Sequence, residues 1–236
     1  QANTVDAKTT GKVTATLSEG TFSALNSLTG TGNAYSITIS ESSVLASDLN
    51  ALNAKTDTVI DVDTVSEITG SIVDLTKFYT DADKTSGGQP SDFKNTSDNE
   101  TIKITDTSID TKALELLQKA DGPGTSGNVV LLNATTLTGT SAEIKAALDG
   151  FTKVTGIPAD VAVTISEATV IAGNLKAIDA KTTGLITVDS TAKSISGNET
   201  DIKAVLKNSK LVADATADNT GVETVTTVGL SGLDVS

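Results

Sequence analysis

The segment Thr38 to Thr64, TISESSVLASDLNALNAKTDTVIDVDT, recurs at Thr164 to Ser190 as TISEATVIAGNLKAIDAKTTGLITVDS, at a constant offset of 126 residues. Ser40, Glu41, Val44, Ala46, Leu49, Ala51, Ala54, Lys55 and Thr56 meet identical counterparts at Ser166, Glu167, Val170, Ala172, Leu175, Ala177, Ala180, Lys181 and Thr182. Agreement over so short a span constrains the chain more than its composition does. Short repeated units cannot bury an apolar side alone and must stack on their neighbours.

Each copy opens on a short alternating strand pattern, Ile37-Thr38-Ile39 or Val163-Thr164-Ile165. Ser-Glu follows as a turn or cap. Val170, Ile171, Leu175 and Ile178 then fall at helical spacing and predict an amphipathic helix. After Ala-Lys-Thr the chain extends again at Val59 to Val62 and Leu185 to Val188. A second unit type interleaves: Gly139 to Leu148 aligns with Gly197 to Leu206 and, more loosely, with Gly70 to Tyr79. Each of these has a small polar entry, an acid in the first turn and an apolar stripe, which together mark a helix start.

Units begin near Val13, Ile37, Ile60, Ile102, Val129, Val163 and Ile186, and uninterrupted ones run 23 to 26 residues. The two types alternate in a super-repeat of roughly 63 residues, half the 126-residue offset. The fold class expected is α/β: a solenoid of strand–helix repeats with a parallel sheet, leucine-rich-repeat-like in architecture. The alternative is a row of tandem small α+β domains. Residues 1–12 read as the end of a preceding repeat, because Ala7 to Ala15 (AKTTGKVTA) repeats Ala180 to Val188 (AKTTGLITV). Residues 13–211 form the array, with a loop insertion at 81–99, and 212–236 a degenerate C-terminal repeat or cap. The array is expected to continue upstream.

Composition then excludes chemistry. The chain has no Cys, Met, Trp or His, and Lys supplies every positive charge. Disulfides, thiolate nucleophiles, imidazole ligands and Ser-His-Asp relays are therefore absent. A net charge of -13 with no basic patch argues against nucleic acid. No stretch approaches the ~18 apolar residues of a membrane span.

The candidate metal ligands are Asp81, Asp83, Thr85 and Asp92, at relative positions 1, 3, 5 and 12 of a calcium loop. Ser86 stands where such loops carry Gly, and the last position is Asp rather than Glu. The plain alternative is a solvated acidic loop. Asp61, Asp63, Asp189 and Asp106 are read as caps. The Tyr and Phe residues are scattered through apolar positions and read as core. No motif singles out a catalytic or cofactor-binding residue.

The paired units VTISEATVIAGNLKAIDAKTTGLITVDS and ISGNETDIKAVL resemble repeats in very large secreted or surface proteins of bacteria, cyanobacteria among them. The resemblance runs from Ala7 to about Leu206. It implies an extracellular, cell-surface role, S-layer-like or adhesin-like, with neighbouring repeats, a second copy, or a surface glycan or protein as partners. The expectation is a non-enzymatic structural module. The alternatives are an adhesin or phage-fibre module that binds through loops or the sheet face, and an acid-based hydrolase.

Overall fold

The computed structural model describes residues 1–82, 92–94, 100–120, 128–151, 153–206, 211–213 and 224–227. For residues 81, 82, 119, 120, 211–213 and 224–227 it describes the backbone path alone. The chain is α/β, with several parallel sheets and alternating strand and helix elements. It divides into two compact bodies, residues 1–105 with 116–132 and residues 106–115 with 133–236.

The early elements are α1 (Ala2–Asp6), β1 (Thr14–Thr16), α2 (Phe22–Leu25), β2 (Ala34–Ser36), β3 (Ser43–Leu45), α3 (Ala46–Asn53), β4 (Ile60–Asp61), β5 (Glu67–Gly70), α4 (Ile72–Ala82), β6 (Phe93–Lys94) and β7 (Thr101–Ile104). Then come β8 (Ser108–Asp110), α5 (Thr111–Ala120), β9 (Val129–Leu131), β10 (Thr136–Gly139), α6 (Ser141–Gly150), β11 (Val154–Thr155), β12 (Ala162–Ile165), β13 (Thr169–Ile171) and α7 (Ala172–Asp179). The last are β14 (Ile186–Val188), β15 (Ser194–Gly197), α8 (Glu199–Leu206), β16 (Leu211–Ala213) and β17 (Thr224–Thr227).

Most strands are three or four residues long, and the register lines up inward side chains from strand to strand, one or two from each. In the first body Val44, Ile68, Ile102 and Val129 form such a row across β3, β5, β7 and β9, all buried. In the second body Ile109, Leu137, Val163 and Ile186 do the same across β8, β10, β12 and β14. Helix residues cover this inner side. Leu175 and Ile178 of α7, with Ile202 and Val205 of α8, join Val163, Val170, Ile186 and Ile195 in one core. Each such side chain contributes about 1.5–3 kcal/mol when fully buried.

The sequence reading of one strand per helix is corrected. Among the described residues two strands separate α3 from α4, α5 from α6, and α7 from α8, and three separate α4 from α5 and α6 from α7. Val170 and Ile171, read above as helical, lie in β13, and α7 begins only at Ala172. The apolar pair is in fact a strand flank: Val170 points into the core while Ile171 faces out, 43% exposed.

The second helix entry holds as read. Ser71, Thr140 and Asn198 each accept, through the side chain, from the backbone N–H three residues on, at 3.1, 3.3 and 2.9 Å. Glu143 completes a capping box by accepting from Thr140 N at 2.9 Å. Gly139 and Gly197, just ahead of these caps, sit against the first residue of the previous helix. A Cβ on Gly139 would stand 2.4 Å from Thr111 Oγ1, and one on Gly197 2.9 Å from Ala172 Cβ.

Within the 81–99 insertion, residues 81 and 82 end α4, β6 pairs with β4, and Phe93 is buried against Phe78, ring centroids 4.7 Å apart. A continuous surface loop is therefore not what the chain forms there. Phe22, Tyr35, Phe78, Tyr79 and Phe93 are all buried, as expected of core aromatics, and Phe151 is half-buried.

The Thr of Ala-Lys-Thr is a buried staple in both copies. Thr182 Oγ1 lies 2.6 Å from Val161 O and 3.2 Å from Ala159 O, and accepts from Gly184 N at 2.9 Å. Thr56 Oγ1 repeats this with Tyr35 O (2.9 Å), Asn33 O (3.2 Å) and Thr58 N (3.1 Å). Thr182→Val keeps the shape and strands these groups, so it should cost about 1–3 kcal/mol. Urea denaturation checks this against Thr10→Val, an exposed neighbour of the equivalent motif, which should shift stability by less than about 0.5 kcal/mol.

Candidate functional site

Of the four candidate calcium ligands, Asp83 and Thr85 lie outside the described residues, and Asp81 is described only as backbone in the last turn of α4. The half-buried Asp92 accepts from Asn53 Nδ2 at 2.9 Å, and its carbonyl accepts from Ile60 N. Among the described residues no three His, Cys, Asp or Glu side chains come together as a metal cluster.

Two of the strand acids read as caps, Asp61 and Asp189, serve turns rather than helix ends. Asp61 accepts from Asp63 N at 3.2 Å and pairs with Lys94 Nζ at 3.1 Å. Asp189 accepts from Thr191 N at 2.9 Å and is bonded by the hydroxyls of Thr191 and Ser166. Burial pushes the Asp189 carboxyl up, but those bonds outweigh it and leave the group below its ordinary value.

Glu41 and Glu167, read from the sequence as part of a turn or cap, are caps of a helix in the unit before. Glu41 Oε2 accepts from Phe22 N at 2.9 Å, and Glu167 Oε1 from Ser141 N at 3.0 Å. Each carboxylate therefore caps the helix before it, α2 or α6, rather than the one that follows. The charge sits at the positive end of the helix dipole and satisfies an N–H with no intrahelical partner. The available signal was the identity of both Glu and Thr across the 126-residue offset, at polar positions where a merely wetted surface would drift.

The outward faces of the strands carry hydroxyls and charges already bonded to one another. Ser43 Oγ donates to Glu67 Oε1 at 2.9 Å, and Lys103 Nζ pairs with Glu67 Oε2 at 2.6 Å, across β3, β5 and β7. Ser194 Oγ donates to Thr169 Oγ1 at 3.0 Å. Lys176 pairs with Asp201 at 2.7 Å between α7 and α8. In the interior, Tyr79 Oη donates to Glu100 Oε1 at 2.9 Å, both residues buried. With no His or Cys in the sequence, acid–base chemistry would fall to carboxylates, Lys and Tyr. Among the described residues no helix is long and apolar enough to cross a membrane.

The chain matches no family model, no curated protein sequence and no solved structure.

The ladder makes a prediction about acid. Hydrogen bonds from Lys103 and then Ser43 hold Glu67 below its ordinary value of 4.5, against a smaller upward push from partial burial. A carboxyl lowered on folding adds stability that is complete above its unfolded pKa and is lost as the pH falls through the folded one. The urea midpoint should therefore drop between about pH 5 and pH 3, and Glu67→Gln should flatten part of that slope. A wild-type midpoint constant across the window would refute the linkage.

Proposed function

We propose that this chain is a non-enzymatic structural repeat module, a short solenoid of strand–helix units belonging to a large secreted or cell-surface protein, which supplies length and stiffness. The observation that carries the reading is where the polar identities of the 126-residue repeat go. Glu41 and Glu167 cap the preceding helix, and Thr56 and Thr182 bond the preceding strand entry. The backbone N–H groups of Ser40 and Ser166 donate to Gly20 O and Gly139 O, again in the unit before. Residues held fixed for recognition or turnover would face outward or into a cleft, whereas these join one unit to the next. Several parallel sheets of short strands with apolar inner rows are what stacked units of this length would produce.

A second reading has one observation in its favour. Leu45 and Ile171, equivalent under the offset, are 49% and 43% exposed on the outward side of their strands. A binding module of the adhesin or phage-fibre kind would use such a face against a glycan or protein.

Calorimetric titration with soluble glycans, and pull-down on insoluble ones, separates the two. The spacer reading expects no saturable uptake. Saturable binding that Leu45→Ser with Ile171→Ser abolishes, at unchanged melting temperature, would replace it with the binding reading. Thermal melts in excess EDTA and in millimolar calcium form a further test. A stack held by its own contacts should melt within about 1 °C in both, because only a ligand of the folded state shifts the transition.

A further inference from the structure

The first helix of the chain is a third copy of a helix end seen twice elsewhere. Under an offset of 173, Ala2, Val5, Ala7, Thr9, Gly11 and Val13 correspond to Leu175, Ile178, Ala180, Thr182, Gly184 and Ile186. The backbone agrees: both helices leave through an Ala with nearly equal angles, Ala7 at φ -67, ψ -8 and Ala180 at φ -70, ψ -15. Gly11 N donates to Thr9 Oγ1 at 3.0 Å, as Gly184 N does to Thr182 Oγ1 at 2.9 Å.

The surroundings differ on one side only. Toward the unit that follows, α1 is fully engaged. Asn3 bonds Ser27 O at 2.7 Å and Thr29 N at 3.0 Å, and Asp6 accepts from Asn33 Nδ2 at 2.8 Å. On the opposite side, α7 is packed against α6, Ile178 is 0% exposed, and the buried Thr182 hydroxyl reaches Val161 O and Ala159 O. Val5, at the Ile178 position, is 53% exposed, and Thr9, at the Thr182 position, is exposed. Beside them opens a recess of about 750 Å³, with Ala2, Val5, Val13, Ala15, Leu25 and Leu28 in its wall. β1, which borders it, pairs with β2 on one side.

We infer that this recessed face of α1 and β1 is an interface for one further strand–helix unit of the same kind, with the chemistry of residues 133–174. Those residues show what covers the equivalent side of α7. The occupant brings an apolar helix stripe like Ile144 and Ala147 to lie on Val5. It also brings a strand entry whose carbonyls take the Thr9 proton as Ala159 and Val161 take that of Thr182. In the second body the groups equivalent to this apolar wall, exposed hydroxyl and outer strand edge are all covered by residues 133–174. The inference rests on the packing of these helices and is independent of the spacer reading, which could fail through ligand binding elsewhere.

The test extends the full chain. Residues 133–174 are placed directly ahead of Ala2, so that the added helix runs into α1 as one helix. The melting temperature should rise by at least about 4 °C, a shift corresponding to a modest gain for a chain of this size. Amide exchange over Val13 to Leu17 should slow at least about tenfold as the edge becomes an interior strand. Val5→Asp should leave the unextended chain within about 1 °C and remove most of the gain in the extended one. Three outcomes overturn the assignment: unchanged exchange at Val13 to Leu17 in the extended chain; a Val5→Asp cost already present in the unextended chain, which needs no extension to be read; or concentration-dependent association of the unextended chain that Val5→Asp abolishes, which would give the face to a second copy instead.

Discussion

The structure hangs on rows of inward side chains across very short strands. A strand of three or four residues points only one or two side chains inward, so each strand offers the core few anchors. In the rows Val44–Ile68–Ile102–Val129 and Ile109–Leu137–Val163–Ile186 that anchor is always β-branched or Leu, and it is always buried. Parallel pairing repeats the alignment from strand to strand without a hairpin to fix it. A slip of one residue would turn every anchor to water and bring Thr, Ser, Glu or Lys inside. Register is therefore the property the sequence must defend, and it must do so with little help from strand length.

The defence lies in the connections. A glycine closes β5, β10 and β15, where the backbone passes the first residue of an earlier helix. A capped helix start follows at once, so the chain has a fixed point where each helix begins. Glu41 and Glu167 then reach back to the previous helix, and Thr56 and Thr182 to the previous strand entry. Each bond would be strained or lost if one unit slid along another. A buried hydroxyl or carboxylate contributes modestly when satisfied and costs more when abandoned, which suits it to select register rather than to add bulk stability. The apolar rows supply the bulk.

This division explains what was legible in the sequence. Strand starts at Val129, Val163 and Ile186 and the helix entries after Gly70, Gly139 and Gly197 could be read because periodicity and capping are local signals. The extra strand was not. Thr169-Val170-Ile171 carries two adjacent apolar residues ahead of a helical stripe, and in sequence the pair extends the stripe. Only pairing with Ser194-Ile195-Ser196 shows that one faces in and one out. Phe93 reads as core like the other aromatics, but the strand it sits in does not read as one, because the Gly/Ser/Asp-rich stretch around it has the composition of a loop. The capping Glu residues were recognisable as special, but which helix they serve depends on stacking, a fact no local window contains. Of the candidate calcium ligands, Asp92 is the only one with a described side chain, and Asn53 holds it.

The outward faces bear on function through what their groups are already doing. A recognition surface keeps donors and acceptors available, since a ligand must replace their water without breaking stronger bonds. On β3, β5 and β7 the hydroxyl, carboxylate and ammonium of Ser43, Glu67 and Lys103 are joined in one chain of contacts. Elsewhere Ser194 bonds Thr169, and Asp189 gathers Thr191 and Ser166. Competing for any of these would mean unmaking a link between adjacent strands or turns. Leu45 and Ile171, each on the outward side of its own strand, depart from this pattern as exposed apolar positions.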